Sequence, residues 1–176
     1  YVSQHNEKYF QKFINLGESC YYMIKIYPSL GQHMIPAVPF KVERTNCEIN
    51  ELRGYNYRFI FQRGRPEGMA EVLFCPVEFY DCLPPVSQRY RELGLQADQI
   101  VAHLNKFYPN GQGLPDDSSL MKQGIGTAAL ELIVADAREI GARGMYVFSG
   151  RPGMINFMEK RNFGILPEDE THQRKY

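Results

Sequence analysis

The sequence predicts an α+β fold, and three stretches carry that reading. Tyr55 to Phe61 alternates apolar and polar residues, breaks at Arg63-Gly64-Arg65-Pro66-Glu67-Gly68, and the β pattern resumes from Met69 to Tyr80. Two such runs around a Gly/Pro turn make a hairpin. Further along, Gly126, Leu130, Ile133, Ala137 and Ile140 recur at the spacing of one buried helix face, while Glu131, Asp136, Arg138 and Glu139 take the other faces. Gly141 follows as a left-handed stop. Met145-Tyr146-Val147-Phe148 is then a short run of β formers, and Pro152 stands near the first turn of a second helix.

Taken in order, residues 3 to 16 place Tyr9, Phe10, Phe13, Ile14 and Leu16 among polar neighbours, the pattern of an amphipathic helix ending at Gly17. Cys20 to Tyr27 is a β-type run closed by Pro28, and Ser29 to Pro39, with Gly31 and Pro36, is a loop, either a lid or a plain connection. Phe40 to Arg44 is expected as a strand and Cys47 to Leu52 as a short helical turn. Pro76, inside the second hairpin strand, argues for an edge or a bulge there. Pro84 to Leu95 reads as a connection plus a short helix, and Gln99 to Phe107 as a strand. Tyr108 to Leu120, with Pro109, Gly111, Gly113, Pro115, Asp116 and Asp117, is a polar loop.

At 176 residues the chain is most economically one domain, long enough to bury about two-thirds of its unfolded surface. It carries 20 basic and 20 acidic residues, so no overall field favours nucleic acid or an anionic membrane. Arg53, Arg58, Arg63 and Arg65 could form a local basic patch, although ordinary solvated arginines are the better reading. Cys20, Cys47, Cys75 and Cys82 show no CxxC pair and no histidine at metal spacing, so free thiols, no metal and a cytoplasmic setting are expected. No apolar stretch approaches membrane-spanning length, and the start lacks a signal-peptide pattern. The chain begins at Tyr1 without Met, as a processed or excised fragment would.

Met121-Lys122-Gln123-Gly124-Ile125-Gly126-Thr127 is the stretch with the most chemistry in it. Amides at a helix start have no intrahelical partner and sit at the positive end of the helix dipole, so a glycine-containing turn there suits a phosphate. Two glycines used only for tight helix packing are the plain alternative. A Gly-x-Gly helix start, a helix, a strand, then a helix ending in Phe157-Met158-Glu159-Lys160-Arg161-Asn162-Phe163 resembles the acyl-CoA half of the GNAT superfamily of N-acyltransferases, over roughly residues 121–164.

The resemblance implies a mixed, mostly antiparallel central sheet with helices on both faces. It also implies an acceptor-side half (1–98) and an acyl-CoA-binding half (99–176). Cofactor contacts would fall on Met121, Lys122, Gln123, Gly124, Ile125, Gly126 and Thr127, with Asn156, Met158 and Lys160 on the following helix. Met121 stands where the family usually has Arg or Gln, Met158 where many members have the tyrosine that protonates the departing thiolate, and Asn162 where Gly is usual. Members commonly add strands after this point, whereas only Gly164 to Tyr176 remain. The sheet is therefore expected to be short, or to be completed by a partner or by missing sequence, and an open edge would invite a homodimer.

The implied activity is transfer from acetyl-CoA or another acyl-CoA to an amine of a small molecule or peptide. The implied alternative is an acyl-CoA-binding module that transfers nothing. As bases the chain offers Glu71 and Glu78 on the hairpin and His103 on the strand before the loop; as acids, Ser149 and Tyr146. Each has a plain counterpart, a solvated strand face for the carboxylates, a hydrogen-bonded strand histidine, a core tyrosine. Asp116 and Asp117 could bind a cationic substrate or simply form a polar turn. Gly124-x-Gly126-x-x-Ala129 also fits a dinucleotide fingerprint, which should follow a strand directly and needs further βα units.

Overall fold

A computed structural model describes residues 21–26, 40–61, 67–111, 124–149 and 152–166. The strands are β1 (Tyr21–Ile26), β2 (Lys41–Ile49), β3 (Leu52–Ile60), β4 (Gly68–Pro76), β5 (Ile100–Tyr108), β6 (Gly144–Ser149) and β7 (Gly164–Leu166). The helices are α1 (Pro84–Glu92), α2 (Ile125–Glu139) and α3 (Pro152–Glu159), with a 3-10 helix at Val77–Cys82 between β4 and α1. They form an α+β unit around one mixed sheet of order β2-β3-β4-β5-β6-β1-β7.

Every neighbouring pair is antiparallel except β5 and β6, joined through α2. A doubly wound dinucleotide fold needs a run of parallel strands, so that reading of the glycines does not survive. The expected N-terminal helix over residues 3–16, the 29–39 loop and most of the 108–120 loop lie outside the described residues.

Two local readings change. Cys47 to Leu52 is not helical: β2 runs on to Ile49, which pairs with Leu52 across a two-residue turn. Asn50 (φ 50°) and Glu51 (φ 68°) both take positive φ, the type I′ geometry whose twist matches that of the strands. Glutamate is ill suited to that region, so Glu51→Gly is expected to stabilise the fold by about 0.5–1 kcal/mol in urea unfolding. Pro76 lies on a central strand rather than an edge, but the β3–β4 ladder has already ended at Gly54↔Leu73, so the proline sits past the doubly paired part.

The sheet is also longer than its C-terminal sequence alone would allow. β1 inserts between β6 and β7 and pairs with both, from Tyr21↔Ser149 to Ile26↔Gly144 on one side and from Tyr22↔Leu166 to Ile24↔Gly164 on the other. An N-terminal strand thereby extends the sheet beyond β6.

Alternation along the strands divides the side chains between two cores. On one face Tyr57, Phe59, Ala70, Val72, Ala102, Leu104, Met145 and Val147 pack against Ile125, Ala129, Leu130, Ile133 and Ala137 of α2 and Met158 of α3. On the other, Cys75, Val77, Val101 and Tyr146 pack against Phe79, Tyr80, Val86 and Tyr90 of the 3-10 helix and α1. Ile140, expected on the buried stripe, is 42% exposed because the helix has ended by that point. Asp136 ties α2 to the sheet, accepting from the Tyr57 hydroxyl at 2.9 Å and pairing with Arg44 at 2.9 Å.

Both α2 and α3 close the same way. Gly141 (φ 93°) follows α2, with Gly141 N–H to Arg138 O and Ala142 N–H to Ala137 O at 2.9 Å each. Asn162 (φ 62°) follows α3, with Asn162 N–H to Glu159 O at 2.9 Å and Phe163 N–H to Met158 O at 3.2 Å. These are Schellman closures, and the apolar contact that accompanies them is Phe163 with Met158, both in the core. Asparagine tolerates the left-handed region better than other non-glycine residues, which accounts for its standing at this position. Among the described residues no helix is long and apolar enough to cross a membrane.

Candidate functional site

Among the described residues the parallel ladder of β5 and β6 holds three residue pairs, Ala102↔Met145, His103↔Tyr146 and Leu104↔Val147, with Arg143 N–H to Ile100 O at 2.8 Å just before it. Beyond Leu104, among the described residues, β5 continues to Tyr108 paired with β4, while β6 runs on beside β1. The two strands part there. At the same level the β4–β5 register slips, since Val72 pairs with Leu104 but Glu71 pairs with Lys106, leaving Asn105 as the extra residue of a bulge. Bulges bend a strand and re-aim its side chains and backbone groups.

α2 starts on the far side of this opening. Gly124 takes the left-handed conformation (φ 72°) and accepts the first helical bond from Ala128 N–H at 3.0 Å; a Cβ there would meet none of the described residues within 4 Å. Gly126 serves a different purpose: a Cβ on it would come within 3.2 Å of the Phe157 ring and 3.6 Å of Pro109. The first glycine thus provides the left-handed turn that opens α2, and the second lets α3 and the end of β5 approach α2. Arg161 lies across the same turn, its Nη1 donating to Phe157 O at 2.7 Å, its guanidinium 3.6 Å over the Phe157 ring, and its Nη2 donating to Thr127 Oγ1. Partial burial pulls this guanidinium below its ordinary pKa, with Glu131 opposing the effect.

On the opposite sheet face the bulge borders a polar groove of about 690 Å³ lined by Glu43, Asn56, Arg58, Glu67, Glu71 and Lys106, among others. Glu71 is 6% exposed, and its carboxylate accepts from Asn105 Nδ2 and, at 3.0 Å, from Lys106 Nζ. At the outer end Arg58 pairs with Glu67 at 2.5 Å and with Glu43 at 3.2 Å. The Glu71 carboxylate is therefore the buried acidic group at the parting of the strands.

The other candidate residues scatter. His103 and Tyr146 are enclosed in the core beneath the 3-10 helix and α1, with ring centroids 4.9 Å apart. Burial holds the imidazole down at about pKa 3, so it is neutral at physiological pH and shut away from any substrate. Glu78 is exposed on the 3-10 helix, away from the bulge. Ser149 is half-buried at the end of β6, opposite Tyr21.

Ile125 and Met158, expected among the cofactor contacts, are buried in the core; the position of Met158 follows from the Schellman closure of α3. Thr127 is half-buried at the α2 start, and Asn156 and Lys160 are exposed on α3 and just after it. Met121, Lys122 and Gln123 lie outside the described residues. Cys47 and Cys75 are free thiols, that of Cys75 pushed up to about 12 by burial, and no group of three metal-ligating side chains occurs among the described residues.

Asn105, Lys106 and Arg161 were not singled out by motif. A signal for the first two exists, because Asn105-Lys106 interrupts an otherwise apolar β5, as a bulge does. Comparison with protein-family models, curated proteins and solved structures returned no match.

Proposed function

We propose that this chain is an acyl-CoA-dependent N-acyltransferase with a GNAT-like fold, transferring an acyl group, acetyl in the simplest case, to an amine of a small molecule or peptide. The observation that carries the reading is the parting of β5 and β6 at a bulge, directly beside a buried carboxylate and across from a glycine-opened helix start. A thioester arm fits between two parallel strands that have stopped pairing with one another. The diphosphate would lie at the α2 turn, where helix amides and the Arg161 guanidinium add positive charge; a cation at the positive end of a helix is unfavourable until an anion joins it.

In this reading the amine enters from the polar groove on the other face. Glu71 takes its proton, a backbone amide of the bulge polarises the thioester carbonyl, and the nitrogen attacks the carbonyl carbon. Ser149, at the end of β6, is the remaining candidate to protonate the leaving thiolate, since Tyr146 is enclosed. Burial of Met158 where many family members carry the tyrosine acid favours a second reading, a module that binds acyl-CoA without transferring it.

A titration of coenzyme A beside thiol release from acetyl-CoA across an amine panel separates the two. Saturable binding with release supports transfer, binding without release on any amine selects the module, and no binding discards both. Gly124→Glu is expected to weaken coenzyme A binding at least tenfold, about 1.4 kcal/mol, by setting a carboxylate against the diphosphate. Gly124→Asn, which tolerates the left-handed turn and adds no charge, should lose far less; equal losses would point to backbone strain rather than charge.

A further inference from the structure

We propose that Lys106 is a self-acylation site, an inference that rests on the acyl-transfer reading above. Lys106 is the second residue past Leu104, the last β5 residue paired with β6, so it stands on the stretch of β5 that has left β6, and its side chain lines the polar groove beside Glu71. Its Nζ lies 3.0 Å from Glu71, a carboxylate buried on its own side chain while that of Lys106 is half exposed. An amine, the base that would deprotonate it and the mouth of the acyl cleft therefore meet within two residues of one bulge. An intramolecular nucleophile held in this way needs no binding step of its own.

The step balances without a further reagent. The Lys106 ammonium gives a proton to Glu71; the neutral Nζ attacks the thioester carbonyl carbon, the C–N bond forms and the C–S bond breaks. Coenzyme A leaves as the thiolate and takes up the second proton lost by the nitrogen, and Glu71 passes the first to solvent. The product is an amide-capped, uncharged Lys106 that no longer holds Glu71 as an ion pair, so the carboxylate is left with Asn105 and turned toward the groove for an incoming ammonium.

Lys41 supplies an internal control. It makes an ion pair of the same length with Glu43, 3.0 Å, but both partners are exposed and lie on the edge strand β2. The test is to incubate the full chain with acetyl-CoA and no added amine, following thiol release and intact mass and mapping the acylated peptides. Lys106 is expected to be acylated about tenfold or more faster than Lys41, saturably in acetyl-CoA, with a single equivalent of thiol released per chain.

Lys106→Arg, which keeps a cation beside Glu71, is expected to abolish that equivalent, and Glu71→Gln to slow it on the order of 100-fold. Equal rates at Lys106 and Lys41 would overturn the proposal. Saturable coenzyme A binding with Lys106 left unmodified overturns self-acylation but leaves the proposed function standing; absence of coenzyme A binding overturns both.

Discussion

Gly54→Ala is expected to destabilise the fold by about 3 kcal/mol, lowering the thermal midpoint by roughly 6–12 °C for a chain of this size. Gly54 lies on β3 opposite Leu73 of β4, in the interior of the sheet. A Cβ added there would stand 2.0 Å from the carbonyl oxygen of Val72 and 3.0 Å from the Leu73 Cα. Both are backbone atoms of the neighbouring strand, and a methyl group has no rotamer with which to avoid them. β3 and β4 must separate locally, which also disturbs the groove they line and, through β4, the bulge against β5. Thermal unfolding of the single variant checks this; a midpoint within about 2 °C of wild type would mean that the ladder yields at little cost.

A second large effect concerns pH. His103 is enclosed among Tyr80, Tyr146 and neighbouring apolar residues, and burial lowers its pKa from the ordinary 6.5 to about 3. The folded chain therefore leaves the ring neutral while the unfolded chain protonates it near 6.5. Above that pH neither state binds the proton, and the ring contributes no pH dependence. As pH falls from 6.5 toward 3 the unfolded state is favoured progressively, at a limiting slope of about 1.4 kcal/mol per pH unit.

Between pH 7 and pH 5 the wild type should lose about 2 kcal/mol that His103→Phe does not lose, above the range where most carboxylates titrate. Urea midpoints of both proteins at the two pH values give the comparison directly. Parallel losses would show that the ring reaches a proton in the folded state.

Much of the local structure was legible because short-range chemistry decides it. The stripe over α2, the stop at Gly141 and the hairpin of β3 and β4 each follow from residues within a few positions of one another. The hairpin turn at Asn50-Glu51 was not, since Glu51 is a poor resident of the left-handed region and the signal expected there is a glycine. Nor was the fate of Met158. A motif aligned it with a catalytic tyrosine, but the helix closure at Asn162 and Phe163 turns that position inward.

Of the candidate bases, Glu71, Glu78 and His103 were indistinguishable by pattern. Glu71 differs from the other two only because a bulge on a different strand brings Asn105 and Lys106 onto its carboxylate. That contact spans more than 30 positions of chain, and nothing near Glu71 announces it.

By itself, the sequence determined the α+β character of the chain, the helix opened by Gly124 and the absence of a net field, because each depends on composition or on spacing along one element. Only the tertiary structure decided that β1 fills the sheet between β6 and β7, that β5 and β6 part at Leu104 and Val147, and that His103 and Tyr146 are enclosed while Glu71 borders an open groove. The physical reason is that a strand's pattern records which face is buried but not which strand lies beside it, and burial and charge at a site are properties of those neighbours.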